Sequence, residues 1–192
     1  NQMKLFNEET AFKLNESPTE ELLEFGDLKV LVVDNFYENP DIIREGILGT
    51  PATYFTPDRP TYPGRHIDIR YDLSSLSTAY KNLISKYFKL NVDVDKSLSK
   101  HSFLVNVLQS EHSDPNPHID DTKGYASSIY FNIDEECSGG LDFYDFDNNK
   151  LGTVDMKYNR MLLYQQFVKH VPYIPEGSFT GDLHRINQQL FI

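Results

Sequence analysis

The chain of 192 residues has no tryptophan and a single cysteine, Cys137. One cysteine excludes an intrachain disulfide framework, so a packed core rather than covalent staples has to hold the fold. It also suits a reducing compartment, and cytoplasm is the expected location. Without tryptophan, the large core volumes fall to 12 tyrosines and 13 phenylalanines. No apolar run reaches the roughly 18 residues of a membrane span, so no transmembrane helix is predicted. No basic stretch leads into an apolar one near Met3, and a secretory signal is not expected. Positive charge is scarce: 18 Lys and Arg face 29 Asp and Glu, a formal net charge of −11. That balance argues against a nucleic-acid backbone as the main partner. A small anionic co-substrate stays compatible with it, because one buried arginine makes a local anion site.

What is present describes one globular domain. Hydrophobic residues make up 39% of the chain, enough at this length for a single core, and no internal repeat divides it. Within residues 1–192, we expect a lead-in and short helix over 1–27. A strand with supporting helices follows over 28–100, and a strand-rich core over 101–192. Ser17-Pro18-Thr19-Glu20 reads as a capping box with proline at the first helical position, predicting a helix through about Phe25. Leu28 to Val33 is a Val-rich run that predicts a buried strand. Asn39-Pro40-Asp41 opens a second helix ending near Gly46 or Gly49. Leu76, Ala79, Tyr80, Leu83, Ile84 and Tyr87 mark one face of a third. Strands are expected over 101–110, 125–134, 140–146, 161–166, 168–172 and 183–192. Helices first and short strands afterwards predict a mainly β fold, an antiparallel sandwich or jelly roll with helices on one outer face.

The chemistry-bearing residues are histidines with carboxylates two positions on. His66-Ile67-Asp68, His112-Ser113-Asp114 and His118-Ile119-Asp120 share this pattern. In an extended segment, residues i and i+2 point to the same face, so such a pair can chelate one ion without strain. Two imidazoles and one carboxylate on one face of an octahedral ion leave positions open for co-substrate and O₂. His112-Ser113-Asp114 runs into Pro115 and reads as a solvated loop, and His66 precedes the strand-rich half. His118 and Asp120 are the better pair. For the third ligand, His170 follows the apolar stretch from Met161 to Tyr164. His184 adjoins Arg185, and alternation sends those two to opposite faces. The metal set read from the sequence is therefore His118, Asp120 and His170.

With Pro117-His118-Ile119-Asp120, Ser128-Ile129-Tyr130-Phe131-Asn132, Gly139-Gly140-Leu141-Asp142-Phe143-Tyr144, His170 and Arg185, the chain resembles the 2-oxoglutarate and Fe(II)-dependent oxygenases, in particular the prolyl-4-hydroxylase-like branch. The opening Leu31-Val32-Val33-Asp34-Asn35-Phe36 and Asn39-Pro40 extend the likeness to residues 28–192. The resemblance implies a double-stranded β-helix of the jelly-roll, cupin-like kind, with Fe(II) held at one end. It implies 2-oxoglutarate as co-substrate, its far carboxylate paired with Arg185 and a hydrogen bond from Tyr130, with O₂ consumed and ascorbate supporting turnover. The implied reaction is hydroxylation of a C–H bond in a peptidyl prolyl or small-molecule substrate, releasing succinate and CO₂. In family relatives a small residue at the carboxylate position opens a halide site, so Asp120 points to hydroxylation. Arg185 lies farther beyond His170 than in many relatives; Lys169 and Lys123 are alternatives, and the extra length reads as an enlarged loop over 175–181. A non-catalytic jelly-roll binding module and a zinc hydrolase are the competing readings. Arg65, Arg70, Asn106 and Gln109 are further polar candidates for the site, or ordinary surface and barrel interior.

Overall fold

Two short runs, Val30–Val33 and Met161–Tyr164, set the layering of the molecule. They belong to strands β2 (Leu28–Asp34) and β9 (Met161–Gln165), which pair antiparallel with Leu31 opposite Leu163 and Val33 opposite Met161. Alternation sends Val30, Val32, Leu162 and Tyr164 to one face and Leu31, Val33, Met161 and Leu163 to the other. Both sets are buried, in two different core clusters. Strands apolar on both faces need a layer on each side. These and the following relations come from a computed structural model describing residues 5–57, 64–69, 73–92, 94, 98, 102–108, 116–179 and 184–192.

The large sheet has eight antiparallel strands. From edge to edge they are β1 (Thr19–Phe25), β2, β9, β6 (Tyr125–Tyr130), β11 (His184–Phe191), β5 (Ser102–Leu108), β4 (Arg65–Asp68) and β3 (Thr56–Pro57). Helices α2 (Pro40–Leu48) and α3 (Ser74–Phe88) cover one face. Their Ile43, Ile47, Leu76, Tyr80 and Ile84 share a core with Leu31, Ile129, Leu163, Ile186 and Leu190. Polar atoms in this layer find partners: the Tyr80 hydroxyl lies 2.7 Å from Ser127 Oγ, and Tyr37 donates to Gln188 Oε1 at 2.6 Å. Against the other face lies a three-stranded sheet of β10 (Lys169–Tyr173), β7 (Gly140–Tyr144) and β8 (Lys150–Asp155). Its Leu141, Phe143 and Val154 pack with Val30, Val32, Ala126 and Leu162. The fold is a jelly roll, a double-stranded β-helix with helices outside the larger sheet. No described helix is long and apolar enough to cross a membrane.

Two glycines let the small sheet close up. Gly139 has a φ of +115°, and a Cβ on it would sit 2.0 Å from the Tyr173 carbonyl oxygen. A Cβ on Gly140 would sit 2.0 Å from the Val154 carbonyl oxygen. The backbone of β7 thus passes too close to its neighbours for any side chain at these positions.

The second and third helices and the six expected strands lie where the sequence puts them, with described boundaries moved by a few residues; 101, 109, 110 and 183 of the expected strands lie outside the described residues. The expected helix through Phe25 does not form. That segment is strand β1, paired residue for residue with β2 from Thr19–Asp34 to Phe25–Leu28 across a turn at Gly26, whose φ is +64°. The reason is tertiary. Leu22 packs on the helix-side core while Leu23 and Phe25 pack between the sheets, and only an extended chain serves both faces. The lead-in is also tied down: α1 (Glu8–Ala11), capped by Asn7, buries Ala11, and Phe12 is buried just beyond it. Strand β8 and the edge pair β3–β4 were not expected from the sequence; β3–β4 places part of the segment assigned to supporting helices in the large sheet.

Candidate active site

His118 and His170 face each other across an antiparallel bridge. The His118 N–H donates to the His170 carbonyl at 2.9 Å, and the His170 N–H returns the bond at 3.0 Å. This rung lies beside β10 and sets the two imidazoles on one side, ring centroids 4.8 Å apart. Two residues on, the Asp120 N–H donates to the Gln166 carbonyl at 3.0 Å, which holds its side chain on the same side. Asp120 Oδ1 lies 3.4 Å from His118 Nε2, and Oδ2 lies 3.3 Å from His170 Nε2. All three donor atoms fall within 4.8 Å of one another, and no second such group occurs among the described residues.

Each imidazole is oriented from behind. His118 Nδ1 lies 3.0 Å from the Asn116 carbonyl and His170 Nδ1 lies 2.9 Å from the Val168 carbonyl. A carbonyl only accepts, so both Nδ1 atoms carry protons and Nε2 is the atom each ring turns to the shared space, available to a cation when the ring is neutral. The hydrogen bond to Asp120 raises the pKa of His118 above its ordinary value, against the opposing pull of burial. Burial, chiefly, lowers that of His170, although Asp120 opposes it. Asp120 Oδ2 is buried and has no hydrogen-bond partner among the described residues. A buried carboxylate oxygen left open between two imidazole Nε2 atoms suits a divalent cation, which would take the place of the proton shared by His118 and Asp120, and the donor set fits Fe(II).

The group opens into a cavity of about 580 Å³ between the two sheets. Its far wall is the inner face of β6 and β11, where Asn187 is paired with Tyr130 and Gln189 with Ser128. Arg185, two residues before Asn187, lines the same wall with its guanidinium 5.6 Å from the centre of the Tyr130 ring. Tyr130 is 1% exposed and Arg185 6%, yet the Tyr130 hydroxyl, Arg185 Nε and Asn187 Oδ1 find no hydrogen-bond partner among the described residues. Burial is the main reason the Tyr130 pKa is raised, so the phenol keeps its proton. Toward the outer strands the wall turns aromatic: His66 packs 5.5 Å from Phe103, and Phe103 lies 6.0 Å from Phe191.

All five residues singled out in the sequence, His118, Asp120, His170, Arg185 and Tyr130, line this one cavity. His184 turns away as alternation required, its ring hydrogen-bonded to Asn106 on the helix side of the sheet. Asn106 is therefore a structural residue. Arg65, Lys123 and Lys169 are not among the described cavity-lining residues. Arg70, Gln109 and His112-Ser113-Asp114 lie outside the described residues, as do 180 and 181 of the loop expected over 175–181. His66 lines the cavity without joining the three-residue group. The sequence alone did not show this, because it depends on the pairing of β4 with β5.

No curated protein sequence matches the chain. Among solved structures it is similar to a prolyl 4-hydroxylase of Phytophthora capsici, at 14% identity and a TM-score of 0.55 over 84% of this chain and 57% of that one. The chain thus spans just over half the length of that protein. It is similar also to OsALKBH1, at 14% identity and a TM-score of 0.52 over 89% of this chain and 99% of that one. At these identities the likeness is one of fold. The family profile that matches covers residues 17–151, which include His118, Asp120 and Tyr130. By that match, the chain belongs to the family described as "Family of unknown function (DUF6445)".

Proposed function

We propose that the chain is a 2-oxoglutarate- and Fe(II)-dependent dioxygenase. It hydroxylates a C–H bond of a small-molecule or peptide substrate, consuming O₂ and 2-oxoglutarate and releasing succinate and CO₂. One observation carries this reading. A two-histidine, one-carboxylate group with an open carboxylate oxygen shares a cavity with a buried arginine and tyrosine whose Nε and hydroxyl, respectively, lack partners among the described residues.

His118, Asp120 and His170 would hold the iron. A bound iron(II) would supply the redox chemistry by which O₂, the oxidant, is reduced as 2-oxoglutarate loses CO₂ and the substrate is hydroxylated, with ascorbate keeping the metal reduced. The protein's own part is positional. Nδ1 contacts with the Asn116 and Val168 carbonyls fix both imidazoles, so ligand geometry is set in advance. Arg185 pairs with the far carboxylate of 2-oxoglutarate, the guanidinium donating two parallel hydrogen bonds. Tyr130, kept protonated by burial, donates a further one. The position of Arg185 in the cavity supports this assignment despite its distance in sequence from His170. Asp120 occupies the carboxylate position, which favours hydroxylation over halogenation.

Anaerobic loading with Fe(II), followed by metal analysis and calorimetric titration with 2-oxoglutarate, tests the reading. The expected result is stoichiometric iron, lost in Asp120→Ala, and iron-dependent binding of 2-oxoglutarate, lost in Arg185→Ala with iron retained. Tight zinc, with no iron-dependent binding of 2-oxoglutarate, would point to the hydrolase reading instead.

A further inference from the structure

The ladder between β6 and β11 stops short of the residue that most needs to be held. Its last pair is Tyr130 with Asn187, followed by one backbone bond of 3.1 Å from the Phe131 N–H to the Ile186 carbonyl. Beyond that, the carboxamide of Asn132 takes over. Its Nδ2 donates to the His184 carbonyl at 2.6 Å, and its Oδ1 accepts from the Ile186 N–H at 2.8 Å. The two backbone groups are those flanking Arg185. Asn132 is 2% exposed, so these bonds form out of water.

The carboxamide is itself held. Its Nδ2 also donates to Glu136 Oε2 at 3.2 Å, and Glu136 accepts a bidentate pair from Arg44 on α2. Arg44 closes the circuit by donating to the Phe131 carbonyl at 2.9 Å. Arg44 and Glu136 side chains are 16% and 10% exposed. This chain of bonds runs from the helix layer to the backbone on either side of Arg185. The backbone of Arg185 pairs with Val107 of β5, while its side chain is less constrained: Nε has no partner among the described residues, and the guanidinium rests over the Tyr130 ring.

We infer that Asn132 is a positioning residue for Arg185, acting through the backbone of His184 and Ile186, and that Glu136 and Arg44 fix its carboxamide. The inference rests on the reading of Arg185 as the anchor for the far carboxylate of 2-oxoglutarate. On its other side β11 still pairs with β5, Arg185 opposite Val107, so losing the clamp loosens β11 on the β6 side of Arg185 and leaves the three metal-binding side chains in place, since none of them touches this network in the bonds described.

The test uses the full chain, Asn132→Ala and Glu136→Gln, each loaded anaerobically with Fe(II). Three quantities are read: iron content, the Kd for 2-oxoglutarate, and hydrogen exchange at the Ile186 amide. The clamp predicts unchanged iron, a Kd raised about tenfold in Asn132→Ala, the scale of one lost buried hydrogen bond, and faster exchange at Ile186. Glu136→Gln keeps a hydrogen-bonding oxygen but loses the charge, so a weakening of about threefold is expected, and it decides the matter if Asn132→Ala does not fold. A folded variant with native affinity, or one that loses iron in step with 2-oxoglutarate, overturns the positioning role alone. A native chain that binds iron but not 2-oxoglutarate overturns the functional reading first and the positioning role with it.

Discussion

Tyr130 carries the sharpest contrast between stability and function at the level of single residues. Its hydroxyl is buried without a partner among the described residues, an arrangement that typically costs about 1–3 kcal/mol. Tyr130→Phe is therefore expected to leave the metal-free protein as stable as before, or up to about 1 kcal/mol more stable, by urea unfolding. The same change should weaken 2-oxoglutarate binding by roughly fivefold to tenfold, one hydrogen bond's worth. A tyrosine with only a packing role would show neither effect on binding nor the opposition of the two. Asp120→Ala belongs at this scale too. It removes a donor that no neighbour replaces among the described residues, and succinate formation should fall to background; undiminished turnover would refute its role as ligand. The pair His118 and Asp120 was legible because strand parity is a local rule. His170 was legible because Arg185 displaced its rival His184. Asn132 was not, since its role lies in two backbone groups more than 50 residues away.

Among the elements, the ends of β2 and β9 are locked together by Arg160, which donates to Asp34 from Nε at 2.7 Å and Nη2 at 3.0 Å. Those hydrogen bonds hold the Asp34 carboxyl below its ordinary pKa, against the opposing pull of burial. A carboxylate depressed in the folded state stabilises the fold above its unfolded pKa, and the gain is lost as pH falls through the folded value. Arg160→Ala should thus cost about 1–3 kcal/mol at neutral pH in urea unfolding. The gap from the native chain should narrow as pH falls below about 4. Gly140→Ala should be worse, by about 3 kcal/mol or more, because the new Cβ meets backbone oxygen and not a movable side chain; soluble yield and thermal melting report it. The strand β1 shows why an element can mislead. Ser17-Pro18-Thr19-Glu20 carries genuine helix-start chemistry, but β2 offers an open edge and two cores offer opposite faces to Leu22 and Leu23. Local signals lose when the partner is supplied by tertiary structure.

For the whole molecule, the layering followed from runs that no single-faced strand tolerates. Val30–Val33 and Met161–Tyr164 demand cover on both sides, and the helices and the small sheet supply it. Which strands stand side by side was beyond the sequence, because every pairing in the large sheet except β1–β2 and β3–β4 joins segments separated by other elements. That topology places the His118–His170 rung at the small sheet and the Arg185–Tyr130 wall on the large one, with the cavity between them. On the proposed function, this cavity couples 2-oxoglutarate to O₂ through iron held by His118, Asp120 and His170. The most direct test is succinate formation from 2-oxoglutarate with Fe(II), ascorbate and O₂, comparing the native chain with His118→Ala. Slow succinate formation by the native chain, absent in the variant, is the expected result. No succinate from the native chain, together with no iron-dependent binding of 2-oxoglutarate, would contradict the account and leave a jelly roll that binds without catalysing.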